Sequence, residues 1–177
     1  MNDMMQPKKI QSPLTAETIK NLRVGDSVLL SGVIYTARDA AHKRIIELLA
    51  DGQPLPFDLK GQTVYYAGPC PAAPGKIIGS IGPTTSSRMD VYSPRLIEEG
   101  CRVMIGKGQR NKEVIDSIVK HSGIYFAAVG GAGALLSLCV KHAETAAFED
   151  LGTEAIYKLT VLDMPLVVAV DCYGESV

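Results

Sequence analysis

Small hydroxyls stand beside a guanidinium in the stretch GPTTSSRMD, residues 82–90, where two threonines and two serines precede Arg88 behind a Gly-Pro turn. Two more cations, Arg38 and Lys107, each follow a predicted strand. Since α/β sheets usually bind ligands at the edge beyond the strand carboxyl ends, we expect the three cations to meet there. A guanidinium can bind a carboxylate through two parallel hydrogen bonds. The pattern therefore favours a small anion with more than one carboxylate.

The same cations also fit an ordinary surface. Asp39 follows Arg38 directly and Asp90 lies two residues after Arg88, so both arginines have acids at hand for surface ion pairs. Lys107 stands between two glycines, which let a ligand approach the backbone closely but also suit a solvated loop. Residue spacing alone leaves both interpretations open.

Other patterns are weaker evidence for a site. VGGAGALL has Leu136 in place of the third glycine of a dinucleotide fingerprint, and GKG has Gly108 in place of the Ser or Thr of a phosphate loop. Cys70 has no base nearby in sequence and is interpreted as structural. No zinc-ligand spacing links the three histidines, which are expected at surface or capping positions: His42, His121 and His142.

The composition limits the class of protein. The 177 residues suit one domain, with a flexible arm expected over residues 1–15 and a single domain over 16–177. A net charge of −1 gives no general attraction to nucleic acid or anionic lipid. Four dispersed cysteines and no signal-like N-terminus predict a cytoplasmic protein. Glycines interrupt the uncharged run 124–140, which favours a buried strand and helix over a membrane span.

Strand-like and helix-like segments alternate, which predicts an α/β fold with a largely covered sheet. Ser93 and Asn111 are interpreted as N-caps of two of the helices. The predicted strands are residues 27–36, QTVYYAG, GKIIGSIG, RVMIG, IYFAAV and PLVVAVD; the predicted helices are RDAAHKRIIELLADG, SPRLIEEG, NKEVIDSIVKHSG, GAGALLSLCVKHA and EAIYKLTVL.

Several blocks together resemble one family: SGVIYTARDAAHKR, YYAGPCPAAPGKIIGSIGPTTSSRMD, MIGKG, YFAAVGGAGALL, EDLGTEAI and PLVVAVDCYG. In this order they resemble the β subunit or C-terminal domain of the iron-sulfur, class I fumarate hydratases and the related L-tartrate dehydratases. The resemblance runs from about Val24 to the end of the chain. It implies a swivelling β/β/α domain with a mixed sheet.

The resemblance also implies functional roles. Arg38, Arg88 and Lys107 match family cations that bind substrate carboxylates, and Thr84 matches the residue that handles the proton next to a carboxylate, with Thr85 as the alternative if the register shifts by one. A [4Fe-4S] cluster is expected on a partner α subunit, with no metal ligated by this chain. The expected substrate is a small dicarboxylate, fumarate and malate or else tartrate, and the expected assembly is a heterotetramer or a self-associating chain without nucleic acid or membrane.

A different class of function fits the same cations. A binding module that senses a dicarboxylate or a nucleotide would need the anion site and no chemistry. Tight ligand binding by the isolated chain favours this class, whereas dependence on a partner subunit favours a hydro-lyase.

Overall fold

The computed structural model describes residues 6–128 and 133–177. Two short 3₁₀ turns, Ser86–Met89 and Glu149–Glu154, accompany the regular elements. The strands are β1 Lys8–Ser12, β2 Ser27–Thr36, β3 Thr63–Tyr65, β4 Val103–Gly106, β5 Ile124–Ala127, β6 Val140–Ala147 and β7 Ile156–Val170. The helices are α1 Ala16–Asn21, α2 Asp39–Ala50, α3 Ser93–Glu98, α4 Lys112–His121 and α5 Gly133–Ser137.

The strands form one mixed sheet that closes on itself. Strands β1 to β5 pair in parallel with their neighbours in the order β1-β2-β3-β4-β5. The long strand β7 runs antiparallel to β5, β6 and β2, so its pairing with β2 joins the two sides of the sheet. The α/β fold with a mixed sheet is thereby confirmed.

Two apolar cores lie on opposite faces of this sheet. Alternate residues of one strand reach different cores, as Tyr65 and Val64 of β3 do. One of the two, called the inner core, contains Leu30, Ile105 and Phe126. The outer core lies under α2, α3 and α4, which contribute Ala41, Ile45, Leu96, Ile97, Val114 and Ile118. Three helices therefore cover the outer face, which explains the continuously apolar short strands.

Most of the predicted elements are confirmed. Strand β2 has the predicted bounds, and α2 follows it with Arg38 in the N-cap position. Helix α4 begins after Asn111, whose side chain accepts a hydrogen bond of 2.9 Å from the amide of Val114. Gly131, part of the glycine-rich stretch, lies outside the described residues.

The expectation of a flexible arm is wrong for Lys8–Ser12. These residues form β1 and pair in parallel with Val28–Gly32 of β2. A Cβ on Gly32 would overlap the backbone carbonyl oxygen of Ser12, so the missing side chain lets β1 approach β2. Residues 1–5 of the expected arm lie outside the described part of the chain.

The predicted strand GKIIGSIG is wrong, because residues 75–82 have no regular structure. Their backbone makes irregular bonds instead, from Cys70 N to Ser80 O at 2.9 Å and from Ile81 N to Gly133 O at 3.2 Å. Arg88 consequently does not follow a strand. Ser93 is not an N-cap either, since it is the first residue of α3 and its Oγ donates to Met89 O at 2.9 Å.

Two predicted helices near the C-terminus are wrong. GAGALLSLCVKHA forms only the short α5 before β6 begins at Val140. EAIYKLTVL lies mostly in β7, which continues through Val170. Its apolar spacing suits either structure, and pairing with β2, β5 and β6 selected the strand. Among the described residues, no helix is both long and apolar enough to cross a bilayer.

Candidate functional site

The candidate site lies where the parallel strands end. Thr36 is paired with Tyr65, and Tyr65 with Ile105, so β2, β3 and β4 reach the same edge of the sheet. Arg38 comes two residues after β2, and Lys107 directly follows β4. The sheet register therefore delivers these two predicted residues to one edge.

The segment that carries Thr84 and Arg88 crosses this edge. The amide of Thr84 donates to Tyr66 O at 2.6 Å, and the amide of Ser86 donates to Lys107 O at 2.8 Å. An isolated parallel bridge joins Thr85 to Lys107. The segment thus spans the ends of β3 and β4, and the 3₁₀ turn that contains Arg88 begins there. All four predicted site residues lie at one edge of the sheet.

Arg38 runs over Gly68, the third residue after β3. A Cβ on Gly68 would lie 2.9 Å from Cδ of Arg38 and 2.6 Å from the carbonyl oxygen of Thr153, so a side chain has no room there. The Nε atom of Arg38 is buried and has no hydrogen-bond partner among the described residues. A buried donor without a partner is costly, which marks the place where a ligand oxygen would be favourable.

Arg88 contacts the acid next to Arg38. Its Nη2 lies 3.0 Å from Oδ2 of Asp39, in the first turn of α2, and the two side chains are 55% and 30% exposed. The contact lacks the alignment of a hydrogen bond. Ion pairs this exposed contribute little to stability, about 0–1 kcal/mol. Asp39, one of the two acids expected in surface ion pairs, therefore pairs with Arg88, in a contact weak enough to yield to a carboxylate ligand.

Asp90 does not pair with Arg88, contrary to the surface interpretation. Its Oδ1 accepts from Nε of Arg110 at 2.7 Å, and its Oδ2 accepts from the amide of Asn111 at 2.8 Å. Arg110 is buried and also donates to Ser93 Oγ at 2.7 Å and Tyr66 Oη at 3.2 Å. This network joins the end of the 3₁₀ turn to the starts of α3 and α4.

Lys107 and Thr84 leave their polar side-chain atoms free for a ligand. Lys107 is exposed and has no ion pair with an acid in residues 6–128 or 133–177. The half-buried Thr84 makes its hydrogen bond through the backbone, and the described residues offer its hydroxyl no partner. A threonine that moves a proton needs an acceptor for its own proton, which has to come from outside this set.

Sequence reasoning missed the buried polar groups behind the site. Ser86, Tyr125 and Arg110 carry no local signal, because a serine in a turn or an arginine after a strand is usually exposed. In the sequence, Ser86 is one of several small hydroxyls in residues 82–90, with nothing to distinguish it from its neighbours. Burial raises the pKa of Tyr66, and raises that of Tyr125 to about 12, so both phenols stay protonated at neutral pH.

His42 is buried, whereas the sequence predicted a surface or capping position. It lies on α2, and its Nδ1 is 2.8 Å from the carbonyl oxygen of Arg38. Burial lowers its pKa to about 4, and the nearby charge of Arg110 acts in the same direction. Because a carbonyl only accepts, the neutral ring carries its proton on Nδ1 and donates it to the N-terminal end of α2.

The candidate site is an open edge and not an enclosed cavity. A cavity of about 530 Å³ lies beside Pro69, Cys70 and Tyr157, and another of about 370 Å³ lies beside Gly108, Tyr125 and Val170. Neither is lined by the four predicted residues. Within residues 6–128 and 133–177, no group of three or more His, Cys, Asp or Glu side chains is placed to hold a metal ion.

Several curated proteins resemble this chain. "Fumarate hydratase 2" of Leishmania major is 40% identical over 86% of this chain, and "Fumarate hydratase class I, anaerobic" of Escherichia coli is also 40% identical over 86%. The chain spans only 27% and 28% of those two proteins. "Putative L(+)-tartrate dehydratase subunit beta" of Methanocaldococcus jannaschii is 41% identical over 93% of this chain, which covers 87% of that relative.

The match to a family model extends over almost the whole chain. The model described as "Fumarase C-terminus" matches residues 2–177, which include the closed sheet and the edge with Arg38, Thr84, Arg88 and Lys107. By this match and by the relatives' identity, the chain is a member of the Fumarase C-terminus family.

Proposed function

We propose that this chain is the β subunit of an iron-sulfur hydro-lyase that reversibly hydrates fumarate to L-malate. The observation that carries the proposal is the buried, unpartnered Nε of Arg38 among the described residues, at the same sheet edge as Arg88 and Lys107. Three cations at one edge suit a substrate with two carboxylates. The sequence similarity to fumarate hydratases supports the same reaction class.

Each cation has a part in this proposal. Arg38 and Arg88 bind the substrate carboxylates and fix their orientation, since a planar guanidinium matches a carboxylate through two hydrogen bonds. Lys107 adds a compact charge from the turn after β4. As a proton leaves the carbon next to a carboxylate, negative charge grows on that carboxylate. Fixed cations stabilise this charge most strongly where water is excluded.

Thr84 is proposed to handle the proton at that carbon. Its hydroxyl is a poor base on its own because its pKa lies far above neutral, so it needs an acceptor. We propose that a carboxylate of the partner subunit takes the proton from Thr84. The open edge agrees with this, because a second chain can close over the exposed side chains of Arg88 and Lys107.

The iron-sulfur cluster is assigned to an α subunit. The residues of this chain do not fit it, since the described part offers no cluster of metal ligands and its four cysteines are separate and free. A bound cluster supplies a Lewis acid for the substrate hydroxyl. The steps assigned to this chain are binding, orientation and proton transfer at Thr84.

Tartrate dehydration is the second candidate reaction. The Methanocaldococcus relative, named as a tartrate dehydratase β subunit, has nearly the length of this chain, whereas the fumarate hydratases are much longer. The same cations would bind tartrate, which also has two carboxylates. The name of the Methanocaldococcus relative is the observation that favours tartrate.

The test is reconstitution with an iron-sulfur α subunit under oxygen exclusion. We expect the complex to hydrate fumarate and dehydrate malate, and the isolated chain to do neither. Turnover of tartrate alone would select the second candidate. If no complex turns over any of the three substrates while the isolated chain binds a dicarboxylate tightly in calorimetry, the protein is a binding module instead.

A further inference from the structure

Ser86 joins the two halves of the candidate site. Its Oγ accepts a hydrogen bond of 2.9 Å from the amide of Lys107, and its own amide donates to Lys107 O at 2.8 Å. One serine therefore holds both backbone polar groups of Lys107. Ser86 also begins the 3₁₀ turn that contains Arg88 and lies two residues from Thr84.

A buried tyrosine completes this arrangement. Tyr125 Oη lies 2.9 Å from Ser86 Oγ and 2.8 Å from the carbonyl oxygen of Gly108, the residue after Lys107. The side chains of Ser86 and Tyr125 are fully buried, so replacing their bonds with bonds to water would require opening the structure. The turn around Lys107 is thus bound on both sides.

The backbone opposite Ser86 leaves no spare room. A Cβ on Gly106 would overlap Oγ of Ser86 and lie 2.8 Å from Cδ2 of Tyr66. Only glycine at this position lets the hydroxyl reach the amide of Lys107. Gly106 and Ser86 therefore act as a matched pair, with the glycine at the end of β4 and the serine on the crossing segment.

We propose that Ser86 is a positioning residue that fixes Lys107 relative to Thr84 and Arg88, and that it touches no substrate itself. This inference rests on the proposed hydro-lyase function. Ser86 is buried, whereas its neighbours Thr85 and Ser87 are exposed, and it is hydrogen-bonded to the backbone of Lys107. Effective catalysis depends on such placement, since an error of about 1 Å can cost about 100-fold in rate.

The matched variants are Ser86→Ala and Ser12→Ala. Ser12 is also buried and makes two side-chain hydrogen bonds, to Val33 O at 2.6 Å and with Thr63 Oγ1 at 2.9 Å, but it lies at the end of β1 away from the candidate residues. Both variants lose a buried hydroxyl, so both are expected to lower the unfolding midpoint by similar amounts. Only Ser86→Ala should remove the hydrogen-bond acceptor of the Lys107 amide.

The first measurement is amide hydrogen exchange by NMR on the full chain. We expect the Lys107 amide to exchange at least about tenfold faster in Ser86→Ala than in the wild type and in Ser12→Ala. Unchanged exchange at Lys107 in Ser86→Ala would overturn the inference. This readout needs no activity, so it decides the positional claim even if the proposed function fails.

The second measurement is fumarate hydration by the reconstituted complex. Ser86→Ala should lower kcat by about 10- to 100-fold, and Ser12→Ala should leave it within about twofold of the wild type. An active wild-type complex with an equally active Ser86→Ala variant would refute the positioning role alone. An inactive wild-type complex would refute the proposed function. Equal kcat losses in both serine variants would show a merely structural role.

Discussion

At the residue scale, an ion pair distinguishes the two arginines of the candidate site. Arg88 has Asp39 as a partly exposed partner, whereas Nε of Arg38 is buried with no partner in the described chain. An incoming carboxylate would displace a weak pair at Arg88 and satisfy an empty donor at Arg38. Both changes favour binding of the same anion.

Thr84→Ala tests the proton-handling residue. In the reconstituted complex we expect turnover to fall by at least about 1,000-fold while the affinity for a dicarboxylate changes little, because the hydroxyl acts in the transition state. Thr85→Ala is the comparison, since Thr85 is the alternative by one residue of register. Loss of turnover in Thr85→Ala but not in Thr84→Ala would move the role to Thr85.

Arg88→Lys tests whether Arg88 binds a substrate carboxylate through two parallel hydrogen bonds. Lysine keeps the charge but lacks the planar guanidinium, so KM should rise by about tenfold or more and kcat should fall as well. Arg95→Lys is the control, because Arg95 lies on α3 and pairs with Glu98 and Glu99 at the surface. Steady-state kinetics of both variants makes the comparison, and equal KM values for the two would exclude Arg88 from substrate binding.

At the element scale, the ends of β2, β3 and β4 are held together by a segment without regular structure. The crossing residues 84–86 form backbone bonds with Tyr66 and Lys107, in place of a further strand. The backbone of Gly106 lies against Ser86 and that of Gly68 against Arg38. Close approach of backbone to side chain therefore builds the edge as much as the strands do.

Gly106→Ala tests this close approach. The new Cβ would overlap Ser86 Oγ, so the crossing segment has to move, and we expect activity to fall by about tenfold or more together with a lower thermal midpoint. Gly82→Ala is the control, because its Cβ would meet its nearest neighbour, the Cα of Gly133, at 3.7 Å. Wild-type kinetics in Gly106→Ala would show that the contact has no role.

His42→Gln tests the buried histidine of α2. Its pKa of about 4 lies below the ordinary 6.5, so the unfolded chain takes up the proton first as the pH falls. Stability from the neutral ring is complete above about pH 6.5 and is lost towards pH 4, by up to about 3 kcal/mol. Urea midpoints at pH 7 and pH 4.5 should differ more in the wild type than in His42→Gln.

The control for this titration is His142→Gln, at an exposed position of β6. This variant should keep the acid sensitivity of the wild type. If His42→Gln and the wild type lose equal stability between the two pH values, His42 is not the group responsible.

At the scale of the whole molecule, apolar side chains remain exposed. Val91 is 78% exposed and follows directly after Asp90, close to the exposed Arg88. Val119 is 45% exposed near the end of α4. Since α4 starts after β4 and leads back to the start of β5, Val119 lies towards the opposite edge of the sheet. Of these two valines, Val91 is the one that lies next to the proposed site, where a partner would close it.

Val91→Asp tests that surface. If the α subunit covers the edge with Arg88, a charge at Val91 should weaken the complex by at least about tenfold, because burying an unpaired charge is costly. Val119→Asp is the matched control. Analytical ultracentrifugation of each variant with the partner gives the affinity, and equal affinities would place the interface elsewhere.

The residue types by themselves led to the hypothesis of an anion site at Arg38, Arg88 and Lys107, whereas Thr84 was added by the family resemblance. The strand and helix at residues 27–50 were predictable because their periodicity and flanking residues act locally. Strand β7 could not be predicted in the same way, because the spacing of its apolar residues also suits a helix. Pairing with β2, β5 and β6 selected the extended form.

Only the tertiary structure decided how the site is held. Sequence spacing could not reveal that Ser86 holds both backbone groups of Lys107, or that Asp90 pairs with Arg110 instead of Arg88. These contacts join residues about twenty positions apart, and they form only when both the sheet and the segment that crosses its edge are in place. Side-chain types set what the chain can bind, whereas the closing of the sheet set where those side chains come together.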